Sequence, residues 1–554
     1  MSRPLATRHE WLWVIAVLAG AALVGLLPYW VGYRSQTPEW VFSGALWDRM
    51  DYSVHIGTMW LGQQGDWAYR FRFTAEPQPG SYVKSFYILL GHAARWSGLS
   101  LEVVYHVGRV VFGMLSGLAA YAWLALTFPD LRRRRVAFLL ALFGSGLGWL
   151  QMVLGWQVTP DEWPIDFWLM DGYLYFGMLV FPHYAAATAL MVGMVSGYLA
   201  YLRSGRGWTL AGAALAGLPL QVIQPFAPLL PFTAMAGALA ALGWTKGWRS
   251  ARFRRAFAVL ALVGLVQVPL LAYNLFVFSQ PVWRQFSAQN LTHSPSWASY
   301  LLGFAIFWPL AVLGAGWLAG QLAGQRRLPV SADGERPGVA LDALAAALTW
   351  VSAALFLAFV PNNLQRRFMH AISLPLTILA VQGLYGVLFP WVERRGWLGL
   401  ARRQNLIVVL LIVLAGLSSL ELVVGMTWHA ATRPEGLFER AGLEEAVLWL
   451  DQTAETGDVA LAARQTSLFV AERSGLTLFA GHGVETLNAL AKAQDVEDFY
   501  AGQAVPGWLE RCGCQWVIYG PHERQIGPGP GAAFAGQLEP VYQNPEVIIY
   551  RVRP

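Results

Sequence analysis

Charge is scarce in this chain. Only 13% of its 554 residues are Asp, Glu, Lys or Arg, about half of the roughly 25% usual in soluble globular proteins. An ordinary soluble enzyme is excluded, because several apolar runs exceed the ~18 residues that cross a bilayer. Cysteine is scarcer still, with Cys512 and Cys514 alone. That excludes a disulfide framework, and a Cys-x-Cys pair is at most half of a metal site. The ring a bond between them would close is very tight, so the expectation is two small unbonded residues on one face of a strand. Acids are missing where ion coupling would need them. A proton- or sodium-coupled transporter carries carboxylates near mid-membrane, whereas the apolar runs hold only Asp342 and Glu421, both near their ends. A channel lining is absent for the same reason.

What is present is a polytopic α-helical membrane protein. The net charge is +6, and its positive residues fall in short clusters between apolar runs: Leu131–Arg135, Lys246–Arg255, Gln325–Arg327, Glu393–Arg395 and Ala401–Arg403. This is the positive-inside pattern, not a nucleic-acid patch, and no nucleic-acid partner is expected. Arg3 and Arg8 place the N-terminus in the cytoplasm on the same rule, ahead of a retained first span at Trp11–Val31. Alternating basic and non-basic loops then give about eleven spans, with the C-terminus outside. Residues 1–426 form the membrane domain, with a large first outer loop at 32–104. Within that loop Tyr82–Gly98 is apolar but short and interrupted by Lys84, His92 and Arg95, which suits a helix lying in the interface. The run Trp208–Trp244 is cut into a hairpin at Gln224–Pro228, since proline breaks helices. From Thr427 the composition changes. An amphipathic helix, a turn at Thr456–Asp458 and the strand-like runs VALAA, CQWVIYG and EVIIYRV predict a soluble extracytoplasmic α/β domain over 427–554.

Polar residues collect on the outer side. The first loop carries Asp48, Asp51 and His55, which share one face if helical. The second carries Asp161 and Asp166, with His183 just inside the next span in FPHYAAATALM. The loop PNNLQRRFMH carries Arg366, Arg367 and His370, against the charge rule. Guanidinium groups bind phosphate oxygens bidentately, so this pair reads as an anion site, and an acid across the outer face would complete a transfer site. Asp48 also reads as a helix start, since acids favour helix N-termini. The GHGVET stretch at Gly481–Thr486 lacks the context of a phosphate loop and reads as a structural turn.

At these residues the chain resembles the GT-C superfamily of membrane glycosyltransferases. The features that carry the likeness are DYSVHIGTMWLGQQGDW (Asp51–Trp67), SFYILLGHAARWSGLS leading into the second span, FPHYAAATALM, the arginine-bearing loop, and AVLWLDQTAETGDVALAA with WVIYGPHER near the C-terminus. The resemblance covers nearly the whole chain, in architecture and weak motifs. It implies a bacterial plasma-membrane enzyme that moves a sugar from a polyprenyl-phosphate donor to a glycan, lipid or protein acceptor in one inverting step. It implies Asp51 as general base, with Asp48 in reserve and His55 beside it. Arg366, Arg367 and His370 would hold the donor phosphate, Asp161 or Asp166 would order the acceptor or a metal, and His183, which also reads as a buried polar contact, would be auxiliary. Some members use a divalent cation and others do not, and both options stand here. The competing classes are a lipid-linked glycan flippase and a non-catalytic membrane scaffold.

Overall fold

A computed structural model describes residues 6–158, 162–325, 339–395, 403–531, 534 and 536–553. The expected loop at Ser331–Gly338, most of the basic clusters at Gln325–Arg327 and Ala401–Arg403, Arg3 and Asp161 lie outside them. The protein is mostly helical and is an integral membrane protein. Seven described helices are long and apolar enough to cross a membrane: Arg8–Arg34, Leu101–Thr127, Pro182–Ser204, Ala251–Ser279, Leu341–Phe359, Ser373–Arg394 and Gln404–Thr432. Two bent pairs raise this to nine. They are Leu131–Phe143 with Gly148–Leu154, at 47°, and Trp297–Gly303 with Trp308–Gly324, at 88°. The expected eleven therefore stands at seven to nine. The difference lies in the expected hairpin, which forms a helix of 17 residues, Gly207–Ile223, with Pro219 inside it, and one of 18, Leu229–Lys246. The apolar stretch around FPHYAAATALM is also interrupted. A short helix, Leu174–Val180, ends at Phe181, and Pro182 opens the next helix, where its missing N–H costs nothing.

The described chain divides into two compact units. The first comprises Met1–Gly25, Arg109–Asn274 and Leu291–Val424, and the second Leu26–Gly108, Leu275–Asn290 and Gly425–Pro554. One break between the units falls at Val424–Gly425. The chain beyond it does not stand alone, however, but shares its unit with the first long loop.

In the first unit the helices approach through glycine, as lipid-embedded helices do when van der Waals packing replaces hydrophobic driving force. A Cβ at Gly383 would strike the Leu310 carbonyl, and one at Gly314 the Leu379 carbonyl, so Trp308–Gln325 and Ser373–Gly383 cross backbone to backbone. Two glutamines and an asparagine stitch Gly207–Ile223 to Ala251–Ser279. Gln221 Nε2 donates to Gln267 Oε1 (3.0 Å), Gln267 Nε2 to Ala214 O (2.8 Å) and Asn274 Nδ2 to Gln221 O (3.2 Å).

The second unit is built on a five-stranded sheet. Its strands are β3 (Val459–Leu461), β4 (Thr477–Leu478), β5 (Trp516–Tyr519), β6 (Leu538–Gln543) and β7 (Ile548–Val552), ordered β4-β3-β5-β7-β6. β3 runs parallel to β4 and β5, and β7 antiparallel to β5 and β6. A separate short ladder pairs β1 (Trp40–Phe42) with β2 (Phe438–Arg440). Side chains alternate across the main sheet with the period of two that strands impose. Ala460, Trp516, Ile518 and Ile549 face the helices Ala441–Thr453 and Arg464–Arg473, while Leu461 and Val517 face Phe499, Tyr500 and Leu509 on the other side. Val54 and Phe73 from the first long loop enter the former core.

The cysteine expectation is corrected. Cys512 ends the helix Trp508–Cys512, Cys514 precedes β5, and the two are joined as a disulfide. Gly513 between them has φ 66°, and this left-handed turn, which glycine adopts freely, brings the sulfurs together.

The helix Arg49–Gln64 fixes the position of Asp51, and it is itself fixed by a glycine crossing with the 12-residue helix Phe86–Ser97, a length too short to span a bilayer. A Cβ at Gly62 would strike the Ile88 carbonyl, and one at Gly91 the Met59 carbonyl. Gly91→Val should therefore force the helices apart and lower stability by about 1–3 kcal/mol. Thermal unfolding of the purified protein checks this, and an unchanged melting temperature would contradict the close crossing.

Candidate functional site

In the second unit, the chain enters the Arg49–Gln64 helix through Asp48, whose φ of 41° lies in the left-handed region. Its side chain accepts from the Asp51 N–H at 3.2 Å. Asp48 is thus the N-cap, an interaction worth about 1 kcal/mol. Asp51 sits in the first turn, where the helix dipole favours a carboxylate, and its side chain is 31% exposed.

His55 lies one turn on, but its ring is stacked on Tyr87, with centroids 4.0 Å apart and planes 13° off parallel. The imidazole that meets Asp51 is His482, whose Nε2 lies 3.4 Å from Asp51 Oδ1. His482 is in the GHGVET stretch. That loop closes on itself, with Thr486 N donating to His482 O (3.1 Å) and His482 N to Thr486 Oγ1 (3.2 Å). It also holds the chain 69–84. Glu485 Oε1 accepts from Tyr69 OH (2.6 Å) and Lys84 Nζ (2.5 Å), and the Thr74 hydroxyl donates to Glu485 O (2.8 Å). Burial, reinforced by the Glu485 carboxylate, pushes the Tyr69 phenol well above its ordinary value, so it stays a neutral donor. Arg72, buried beneath, gives its guanidinium to the carbonyls of Gly57, Ser474 and Leu476. Burial lowers it to about 10, still cationic at neutral pH.

In the first unit, a 3₁₀ turn, Gln365–Met369, presents both arginines. Arg366 N donates to Thr292 O (3.0 Å), fixing the turn. The Arg366 guanidinium carbon lies 5.3 Å from the centre of the Trp168 ring, and among the described residues no carboxylate is within ion-pair distance of it. Arg367 donates to the Tyr184 hydroxyl and lies 3.7 Å from Asp171 Oδ2. Asp171 also fixes the following backbone, its carbonyl accepting from Ala371 N at 2.8 Å, and Ala371 takes φ 55°.

His370 does not present a charge. It is buried, with Nε2 2.9 Å from Thr188 Oγ1 and 3.3 Å from Tyr184 O. Burial pulls it below the usual histidine range, so it is neutral and anchors the turn instead of binding an anion. His183 packs its ring 4.1 Å from that of Tyr184, beside the turn's anchor.

The expectation for Asp166 is corrected as well. It is buried, and its Oδ2 accepts from Gly146 N (2.8 Å), Gly148 N (3.1 Å) and the Ser418 hydroxyl (2.9 Å). Burial pushes it up to about 6, against the opposing pull of those donors. Enclosed in this way it orders the bend between Leu131–Phe143 and Gly148–Leu154. Among the described residues no three His, Cys, Asp or Glu side chains gather as a metal site.

Sequence reasoning missed His482, Asp171 and Tyr184. The signal for His482 was weak but present: a histidine between two glycines, followed by an acid and a threonine.

No family model matches this chain, and no curated protein matches it. Among solved structures, arabinofuranosyltransferase AftD from Mycobacteria matches with a TM-score of 0.50 at 13% identity, over 97% of this chain and 40% of AftD. The chain thus spans about two fifths of AftD. ArnT from Cupriavidus metallidurans, in a structure bound to undecaprenyl phosphate, matches over 98% of both chains at 14% identity with a TM-score of 0.49. At this identity the likeness to AftD is one of fold.

Asp166→Ala should leave two buried N–H groups and a hydroxyl without their acceptor. The expected cost is about 2–4 kcal/mol. Chemical or thermal denaturation measures it, and a variant as stable as the parent would contradict the structural role.

Proposed function

We propose that this protein is an inverting glycosyltransferase that moves a sugar from a polyprenyl-phosphate donor to a hydroxyl-bearing acceptor at the extracytoplasmic face of a bacterial plasma membrane. The observation that carries the reading is Asp51. In a chain whose spans hold few acids, this carboxylate is partly exposed, preorganised at a helix N-terminus, and has an imidazole nitrogen 3.4 Å from one oxygen. The fold is consistent with it, and so is the lipid seen with ArnT, a polyprenyl phosphate.

In the proposed reaction Asp51 takes the acceptor hydroxyl proton as general base. The acceptor oxygen bonds to the anomeric carbon as the bond from that carbon to the donor phosphate oxygen breaks, through an oxocarbenium-like state. The leaving phosphate is already acidic and needs charge stabilisation more than a proton. In the first unit, Arg366 lies on Trp168, with no carboxylate within ion-pair distance among the described residues, and Arg367 is beside it on the same turn; guanidinium groups of this kind bind phosphate oxygens.

Asp51→Asn tests the base. With the undecaprenyl-phosphate sugar that the parent protein turns over best in a panel of hexose donors, kcat should fall about 10²–10⁴-fold while expression and folding hold. Normal turnover would remove Asp51 from the mechanism. Movement of donor across liposomes without acceptor, unaffected by the substitution, would favour a flippase.

A further inference from the structure

We infer that His482 is a positioning residue for Asp51, holding the carboxylate as an ionised and correctly aimed base. The inference rests on the glycosyl-transfer reading of Asp51. It starts from the hydrogen bonds on the other ring nitrogen. His482 Nδ1 accepts from two backbone donors, Val484 N at 3.1 Å and Glu485 N at 3.0 Å. A nitrogen facing two N–H groups carries no proton itself. The remaining proton of the neutral ring is therefore on Nε2, which lies 3.4 Å from Asp51 Oδ1 and makes no hydrogen bond among the described residues; catalytic contacts of this kind are often long without substrate and tighten in the reacting complex. Which nitrogen is protonated is set by what the other one bonds, and here the loop backbone sets it.

The ring has little freedom to leave this pose. It is 5% exposed and lies against Phe73, with centroids 5.9 Å apart. The preceding Gly481 has φ 155°, and a Cβ there would meet Ser467 and Phe73. The His482–Thr486 backbone pair closes the loop on the far side. The other charged or titratable groups around the pair are Asp48 on the same helix, Tyr69, Arg72, Lys84 and Glu485. Lys84 and Tyr69 are committed to Glu485 and Arg72 to carbonyls, and His482 Nε2 faces Asp51 Oδ1.

A neutral donor suits a general base. It stabilises the carboxylate over the acid, which lowers the proton affinity of Asp51, without placing a full positive charge beside the proton it must accept. Removing the donor should thus raise that affinity. The base is then protonated at higher pH, and the acid limb of the rate profile moves up.

The test compares His482→Phe and His482→Gln in the full-length protein, assayed with the same undecaprenyl-phosphate hexose donor. Phenylalanine keeps the ring and removes the donor. Glutamine places an amide N–H near the position of Nε2. In the phenylalanine variant kcat should fall about tenfold or more with KM little changed, and the acid limb should move up by about half to one pH unit. The glutamine variant should recover most of the rate and the original limb. A phenylalanine variant with parental kcat and an unmoved limb, or a glutamine variant as impaired as the phenylalanine one, overturns the inference. Should the phenylalanine variant fail to fold, ¹⁵N-histidine spectra of the parent protein decide, with the signal assigned by its loss in His482→Gln. A neutral ring protonated at Nε2 supports the inference, and a ring protonated at Nδ1 or at both nitrogens overturns it. Full activity in Asp51→Asn would sink the base reading itself, whereas an inactive Asp51→Asn beside an unaffected His482→Phe would sink the positioning role alone.

Discussion

A charged side chain at the centre of a bilayer costs several kcal/mol unless it is paired or reaches water, and the distribution of chemistry in this chain follows from that cost. The long apolar helices use glycine crossings and amide ladders where they meet, as at Gly314, Gly383 and the Gln221–Gln267 pair. One charge in the interior is matched: Glu10 takes Arg134 Nε at 2.8 Å and accepts from the Tyr121 hydroxyl. The ionisable residues that remain partly exposed, Asp51 and Arg366 among them, stand in turns and at helix starts. Chemistry built on such residues belongs to loops carried by a rigid helical frame.

Within the second unit the loop Gly481–Thr486 joins segments that are far apart in sequence. His482 reaches Asp51, and Glu485 gathers Tyr69 and Lys84. The same helix that carries Asp51 starts with Arg49 on Glu472 (2.8 Å) and Glu439 (3.4 Å), and the Ser53 hydroxyl donates to Glu472 (2.6 Å). Buried ion pairs contribute little net stability but are costly to break, so this network fixes register more than it adds strength. The part of the chain after Gly425 acts here as the mould in which the first long loop is set.

Much of this was legible because it depends on local rules. Apolar length located the spans, and the alternation in VALAA and EVIIYRV located β3 and β7. The capping preference of aspartate explained Asp48 before any contact was known. The residues that stayed hidden depend on contacts across long sequence separations. His55 is one helical turn from Asp51, yet its ring is drawn away by Tyr87, and the imidazole that arrives comes from 431 positions further along the chain. Asp166 looked like a free loop acid because nothing local reveals that Gly146, Gly148 and Ser418 converge on it. The disulfide was misjudged because ring size was weighed without the left-handed turn that Gly513 allows.

The central claim is that the arginine turn receives a lipid phosphate. Cryo-electron microscopy of the full-length protein in lipid nanodiscs with added undecaprenyl phosphate tests it most directly. The account predicts phosphate density within hydrogen-bond distance of the Arg366 and Arg367 guanidinium groups, lost when both are changed to alanine. Lipid-phosphate density bound elsewhere on the protein, with that turn empty, would contradict it.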